Sequence, residues 1–472
     1  MVIGRIADGL ARGVEDVGAA LSETFMEPAI RLGVTGFARA GKTVFITSLV
    51  ANLMDRGRMP GLLAASEGSI TAAWLQPQPD DTVPRFAFEP HLAALTGPEP
   101  HWPEPTSAVS ELRLSLKVQP RGFIGGLSGP RTVHLDIIDY PGEWLLDLEL
   151  MDRDYDQWSR ETLARAATRP AASAFLAELA GIDPAAEFTE PGAQALAAAY
   201  AGYLRAAQGA GFSDCTPGRF LMPGELAGSP ALTFAPLPPL ATRPARGALR
   251  REMERRYDAY KSRIVKPFFR DHFARIDRQV VLVDLLGAIH AGPLAVEDLG
   301  RSMNDILGAF RPGRNAWLTR LLGLKRVERI LFAATKADHI HHSQHARMTA
   351  IMEAMLRAAR DRAGFAGART EAMSIAALRA TVEEMREVDG AALGMVRGRL
   401  ENGTEAVFHP GTLPEAPARL LAPAREGAER WLEGDYAVMK FAPAARTLKP
   451  GEGPPHIRLD RAAEFLIGDR LR

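Results

Sequence analysis

The sequence predicts an α/β fold, a mainly parallel sheet flanked by helices, with one α-helical insertion and a second, smaller insertion near the C-terminus. Three observations predict it. Gly36-Phe37-Ala38-Arg39-Ala40-Gly41-Lys42-Thr43 fits G-x-x-x-x-G-K-[ST], between a strand-like apolar run at 32–35 and a helix-like run at 44–54. Thr335-Lys336-Ala337-Asp338 follows directly on the buried-strand run 329–334. Strand-like and helix-like segments alternate along the rest of the chain, as a parallel sheet requires. Together these describe a P-loop NTPase of GTPase type.

The spacing of the first motif follows from its chemistry. Backbone N–H groups from Gly36 through Val44, with those of Ala38, Arg39, Ala40 and Gly41 between, must turn inward around a phosphate. Glycines at 36 and 41 allow the backbone angles and the close approach. Lys42 reaches the β- and γ-phosphates, the Thr43 hydroxyl ligates Mg²⁺, and the following helix adds its positive end. The competing reading is an ordinary glycine-rich turn before a helix.

The base follows from Thr335-Lys336-Ala337-Asp338, an [NT]-K-x-D pattern. The Asp338 carboxylate can accept from guanine N1–H and the exocyclic amine. Adenine offers neither donor and would leave a desolvated carboxylate unpaired. Lys336 would lie along the base plane, and His339 would stand beside the base or belong to a solvated helix start. A backbone contact to guanine O6 falls, by order alone, at Ala376 and Ala377.

Asp-x-x-Gly occurs as Asp139-Tyr140-Pro141-Gly142 and as Asp284-Leu285-Leu286-Gly287. A GTPase sheet needs one more strand and helix between this motif and the guanine-reading strand. After Asp139 these exist, at 279–285 and about 294–310; after Asp284 no spare strand is left. Asp139 is therefore the expected Mg²⁺-side aspartate and Gly142 the expected γ-phosphate sensor. Thr106, in Trp102-Pro103-Glu104-Pro105-Thr106, is the best-placed switch I threonine and a third Mg²⁺ ligand, with Trp102 beside the nucleotide. A threonine in a proline-rich loop is the plainer reading.

Composition sets the outer limits. The 472 residues exceed one small core, carry zero formal net charge and include one cysteine, Cys215. This argues against nucleic acid as a partner, excludes an internal disulfide and fits a cytoplasmic protein. No apolar run is long enough to span a membrane, and the N-terminal segment lacks the pattern of a signal peptide. The expected layout is an N-terminal helix at 1–30, the nucleotide domain at 31–142 and 278–385, the helical insertion at 143–277, a Pro/Gly-rich insertion at 386–455, and a closing helix at 456–472 capped by Asp460. The basic amphipathic stretch from Arg311 to Arg329 could rest on anionic lipid at the inner membrane or be a surface helix. His339, His341, His342 and His345 crowd after Asp338. His341 and His345 would share a helix face, and no cysteine nearby completes a metal set.

The stretches "RLGVTGFARAGKTVFITSLVANLM", "WPEPT", "DYPGEWLLDLEL", "LFAATKADHI" and "PHIRLDRAAEFLIGDRL" resemble the YcjX-like family of bacterial P-loop proteins. The resemblance runs from Arg31 to the C-terminus. It implies a cytoplasmic GTP/GDP-binding protein linked to stress, in a family also described as predicted ATPases. Arg39 sits where guanylate-binding proteins also carry an arginine, which suggests a charge-neutralising arginine in cis; the plainer reading points it to solvent or pairs it with a carboxylate of the helical insertion. Glu143 stands where small GTPases carry their water-orienting glutamine, with Gly142 before it, so Glu143 or a backbone carbonyl would place the attacking water. Three function classes follow: a slow GTP-hydrolysing switch, an ATP-consuming ATPase or kinase, and a nucleotide-stabilised adaptor whose helical insertion binds a protein partner.

Overall fold

The computed structural model describes residues 28–37, 39–104, 108–119, 129–309, 327–363, 368–426, 437–445 and 448–472. Ala38, Thr106, the predicted N-terminal helix up to residue 27 and the basic stretch 310–326 lie outside the described residues.

Seven strands form the central sheet: β1 (Ala29–Gly36), β2 (Ile70–Gln76), β3 (Ser110–Val118), β4 (Arg131–Asp139), β5 (Arg278–Val283), β6 (Arg329–Ala334) and β7 (Arg369–Ser374). Their order is β2-β3-β4-β1-β5-β6-β7. The strands from β4 to β7 are parallel, and β2 and β3 join antiparallel at one edge. Every residue of β5 and five of six in β6 are buried, as continuous apolar runs covered on both faces should be. β1 begins at Ala29, inside the stretch expected to be helical. β2 was not expected, because Ala72 and Ala73 weaken its β signal.

The helix Lys42–Met54 follows the phosphate loop and buries Phe45, Ile46, Leu49, Val50 and Leu53 against the sheet. Between β4 and β5 lie the helices Tyr155–Ala167, Ser173–Ala180, Glu190–Gly209 and Leu249–Tyr260. Their interior is aromatic: Trp158 stacks on Tyr257 at 4.9 Å between ring centres and meets Phe234 and Tyr200 edge-on. An ion pair ties them to the helix Pro293–Ala309. The Arg169 guanidinium meets Asp298 Oδ1 at 2.5 Å, and Asp298 Oδ2 accepts from the backbone N–H groups of Ser213 (2.7 Å) and Asp214 (2.9 Å).

The Pro/Gly-rich region departs from expectation. It contains an antiparallel sheet of β8 (Val382–Val388), β9 (Ala391–Arg399) and β10 (Glu405–Phe408), starting before the expected boundary. Asp389 and Gly390, at φ 52° and 78°, make the two-residue turn between β8 and β9. An Asp-Gly pair is a strong hairpin signal, and it was the missed clue. The closing helix is Leu459–Ile467, and its cap is Arg458, in the left-handed region, not Asp460. Asp460 sits in the first turn and accepts from the Gly61 N–H at 2.7 Å, which ties the helix to the loop after the helix Lys42–Met54. No helix among the described residues is long and apolar enough to cross a membrane.

Removing one partner of a buried ion pair leaves the other charge without compensation. Arg169→Met should therefore destabilise the chain by about 3–5 kcal/mol in urea unfolding. A loss below about 1 kcal/mol would mean that Asp298 is satisfied by the backbone N–H groups and by Arg301, whose guanidinium lies 3.6 Å away.

Candidate functional site

The parallel register gathers the motifs at one edge of the sheet. Gly36 pairs with Leu282, Asp139 with Val34, Val283 with Ala334, and Ala334 with Ser374, so the strands end side by side at their carboxyl ends. That crevice is where α/β sheets of this kind bind ligands. Gly41, at φ 84°, turns the loop into the helix, and Phe37 N–H donates to the Leu282 carbonyl at 3.2 Å. Gly36 is required sterically, since a Cβ there would sit 2.8 Å from Leu282 Cβ. Arg39 takes the left-handed conformation at φ 60° and is exposed, Lys42 and Val44 are half-buried, and Ala40 and Thr43 are buried. Asp139 is buried at the end of β4, beside β1.

Gly142 abuts the phosphate loop. A Cβ on it would lie 2.4 Å from the Gly36 carbonyl oxygen and 3.0 Å from Thr35 Oγ1. All of residues 142–148 are buried, largely under the helical insertion. Glu143, one of the two groups expected to place the attacking water, is engaged within the protein: its Oε1 accepts from Gln208 Nε2 at 3.0 Å, and its Oε2 is buried with no hydrogen-bond partner among the described residues. Gly218 packs on the Glu143 backbone so closely that a Cβ would come within 2.5 Å of its carbonyl. The Arg219 guanidinium lies 3.2 Å above the Trp144 ring, and Phe268 meets that ring edge-on at 5.2 Å. Asp147 accepts from Gly218 N–H at 2.8 Å and from the Tyr260 hydroxyl at 2.5 Å. Burial pushes the Asp147 carboxyl up to about 7, against the opposing pull of those hydrogen bonds and Arg219.

The base side is built around Thr335-Lys336-Ala337-Asp338. Lys336 adopts the left-handed conformation at φ 61°, and its ammonium pairs with Asp284. Asp284 caps the helix Leu285–Ala291 by accepting from Gly287 N–H at 3.0 Å. The second Asp-x-x-Gly thus holds Lys336 and caps a helix, a contact that strand order alone could not assign. Asp338 is buried, its Oδ2 accepts from Ala380 N–H at 2.8 Å, and its carbonyl accepts from the Thr381 hydroxyl. His339 meets Phe441 edge-on at 5.2 Å, and burial holds its pKa below the usual range. Trp102 joins this side, its indole N–H donating to the Phe441 carbonyl at 2.7 Å.

Two sequence expectations need correction. Ala376 cannot offer its N–H to guanine O6, because that group donates to the Ile457 carbonyl at 3.0 Å; Ala377 remains as the candidate. His341 and His345 do not share a helix face. His341 caps a short turn, while His345 begins the helix His345–Ala363, with Nε2 2.7 Å from the Ala337 carbonyl and Nδ1 3.3 Å from Arg458.

This sheet, with a phosphate loop after its central strand and a T-K-x-D turn two strands away, defines a P-loop GTPase-like protein. Residues 30–471 match the model of the YcjX-like family, DUF463, and the chain belongs to that family. It is 36% identical over 460 residues to a protein named Ras-like GTPase YcjX from Escherichia coli (strain K12), covering 94% of this chain and 96% of that one. A protein of the same name from Shewanella oneidensis is 35% identical over 469 residues, covering 94% of each.

The raised Asp147 pKa carries a sign. The folded state keeps its proton up to about pH 7, while the unfolded chain loses it near pH 4. Stability from this group is therefore greatest at low pH and falls as pH rises between those values, by on the order of 4 kcal/mol. Burial raises Glu111 to about 7 and also raises Glu149, which adds the same slope. Asp147→Asn should flatten the fall between pH 5 and pH 8 measured by urea unfolding. An unchanged slope would show that Asp147 ionises normally.

Proposed function

We propose that the chain binds GTP and GDP with Mg²⁺ and hydrolyses GTP slowly, acting as a switch. The observation that carries this reading is Asp338: a buried carboxylate after β6, held by residues 380 and 381, at the position that selects guanine. The names of the two relatives support it.

In this reading the loop N–H groups and Lys42 hold the phosphates, and Asp338 reads the base with Lys336 along its plane. Thr43, at the start of the helix that follows β1, and Asp139, at the end of β4 beside β1, are hard oxygen donors, a set that suits Mg²⁺. Held by these residues, Mg²⁺ would supply neutralisation of phosphate charge. Thr106 is the proposed third oxygen donor. Gly142 offers its N–H to the γ-phosphate, and Arg39 turns inward when a triphosphate is bound. Slow turnover follows from Glu143, which replaces a glutamine and is engaged by Gln208. The same engagement favours, as second reading, a nucleotide-stabilised adaptor with negligible turnover, the insertion being its partner surface.

Calorimetry should find guanine nucleotides preferred over adenine nucleotides by a few kcal/mol, and Asp338→Asn should weaken GDP while improving xanthine nucleotide binding. Equal or tighter ATP binding would replace this reading with that of an ATPase. Lys42→Ala should abolish the nucleotide-dependent rise in melting temperature.

Arg39→Ala should lower kcat for GTP at least about a hundredfold, with GDP affinity changed no more than a few-fold. Hydrolysis at the wild-type rate would remove Arg39 from the chemistry. A wild-type chain that binds GTP tightly without turning it over would favour the adaptor.

A further inference from the structure

His341, His342 and Glu383 converge beside the base loop, one ligand atom from each lying within 4.8 Å of the others. No cysteine was needed to complete the set. The third group comes from β8, where Glu383 Oε2 meets His342 Nδ1 at 2.5 Å. We propose that these three side chains form a site for a borderline transition-metal dication, Zn²⁺ above all, which fastens the base loop to β8. Two imidazoles and one carboxylate suit such an ion, whereas Mg²⁺ prefers oxygen donors alone.

The surroundings have the features of a ligand set with outer support. The Arg379 guanidinium lies 3.4 Å from Glu383 Oε1, leaving Oε2 directed at the histidines. The Ser343 hydroxyl sits 2.9 Å from His341 Nδ1 and orients that ring. Gly394 makes room for it, since a Cβ there would approach the His341 ring to 2.6 Å. His342 is exposed, which leaves an entry path and space for water to complete the coordination.

Metal entry would replace the hydrogen bond between His342 and Glu383, and the nearby Arg379 charge opposes the dication and lowers its affinity.

The site bears on the base through β8. Ala380 and Thr381 hold Asp338, and Glu383 follows two residues later on the same stretch of chain. A metal joining Glu383 to His341 and His342 would stiffen the clamp on Asp338. This coupling rests on the guanine reading above; the metal site itself does not.

The test is titration of the full chain, without nucleotide, with ZnCl₂ by calorimetry and with Co²⁺ by visible absorption. The expected result is one ion per chain, unaffected by millimolar Mg²⁺, and weakened at least about tenfold by His342→Ala and by Glu383→Gln. Both substitutions lie at or near the surface, and matched melting curves check the fold. Binding of unchanged strength in both variants, or none below about 100 µM Zn²⁺, would overturn the site. GDP affinity measured with and without Zn²⁺ should rise several-fold in the wild type and stay level in both variants. An unchanged GDP affinity beside intact Zn²⁺ binding would overturn the coupling alone.

Discussion

The contact on which this structure depends is the approach of Gly142 to Gly36. Only a glycine at 142 lets the start of the segment 142–148 lie against the phosphate loop, since a Cβ there would come 2.4 Å from the Gly36 carbonyl oxygen. Everything after it is buried under the helical insertion. Glu143 is engaged by Gln208, Trp144 is covered by Arg219 and Phe268, and Asp147 is held by Gly218 and Tyr260. A small displacement at Gly142 cannot be absorbed by solvent. It must move packed side chains, and close-packed interiors shift between discrete arrangements rather than deform smoothly.

The opposite end of the crevice is held in a comparable way by different chemistry. Asp338 is fixed by backbone and hydroxyl donors from residues 380 and 381, and Lys336 by an ion pair to Asp284. The small sheet closes over this end through Phe441, which touches both His339 and Trp102. The end of the crevice at Gly142 is therefore packed by the helical insertion and the end at Asp338 by the segment leading into the β8–β10 sheet.

Buried charge recurs where the parts join. Arg169 and Asp298 secure the insertion, and Arg278, fully buried in β5, reaches the Leu466 carbonyl, Glu328 and Asp469 to secure the closing helix. Such pairs add little net stability because desolvation offsets their attraction, but breaking one is costly. They favour one docking geometry over its neighbours.

The sequence alone determined the class of fold and the succession of central-sheet strands along the chain apart from β2, and it marked the loop at 36–43. Local rules decide these: glycine where φ must be positive, continuous apolar runs where strands are buried on both faces, and fixed spacing where one loop must surround a phosphate. Asp139 could be preferred over Asp284 because counting strands needs no coordinates. The remaining assignments join residues far apart in the chain, and no local pattern encodes them. Gln208 against Glu143, Asp284 against Lys336 and Ala380 against Asp338 depend on how insertions fold back. Ala376 was misjudged for the same reason, since its N–H is taken by Ile457, brought near only by the returning C-terminal segment. The β8–β9 hairpin was legible in Asp389-Gly390, but its place over the base loop was not. Only the tertiary structure decided that, because packing rather than backbone preference brings Glu383 to His342.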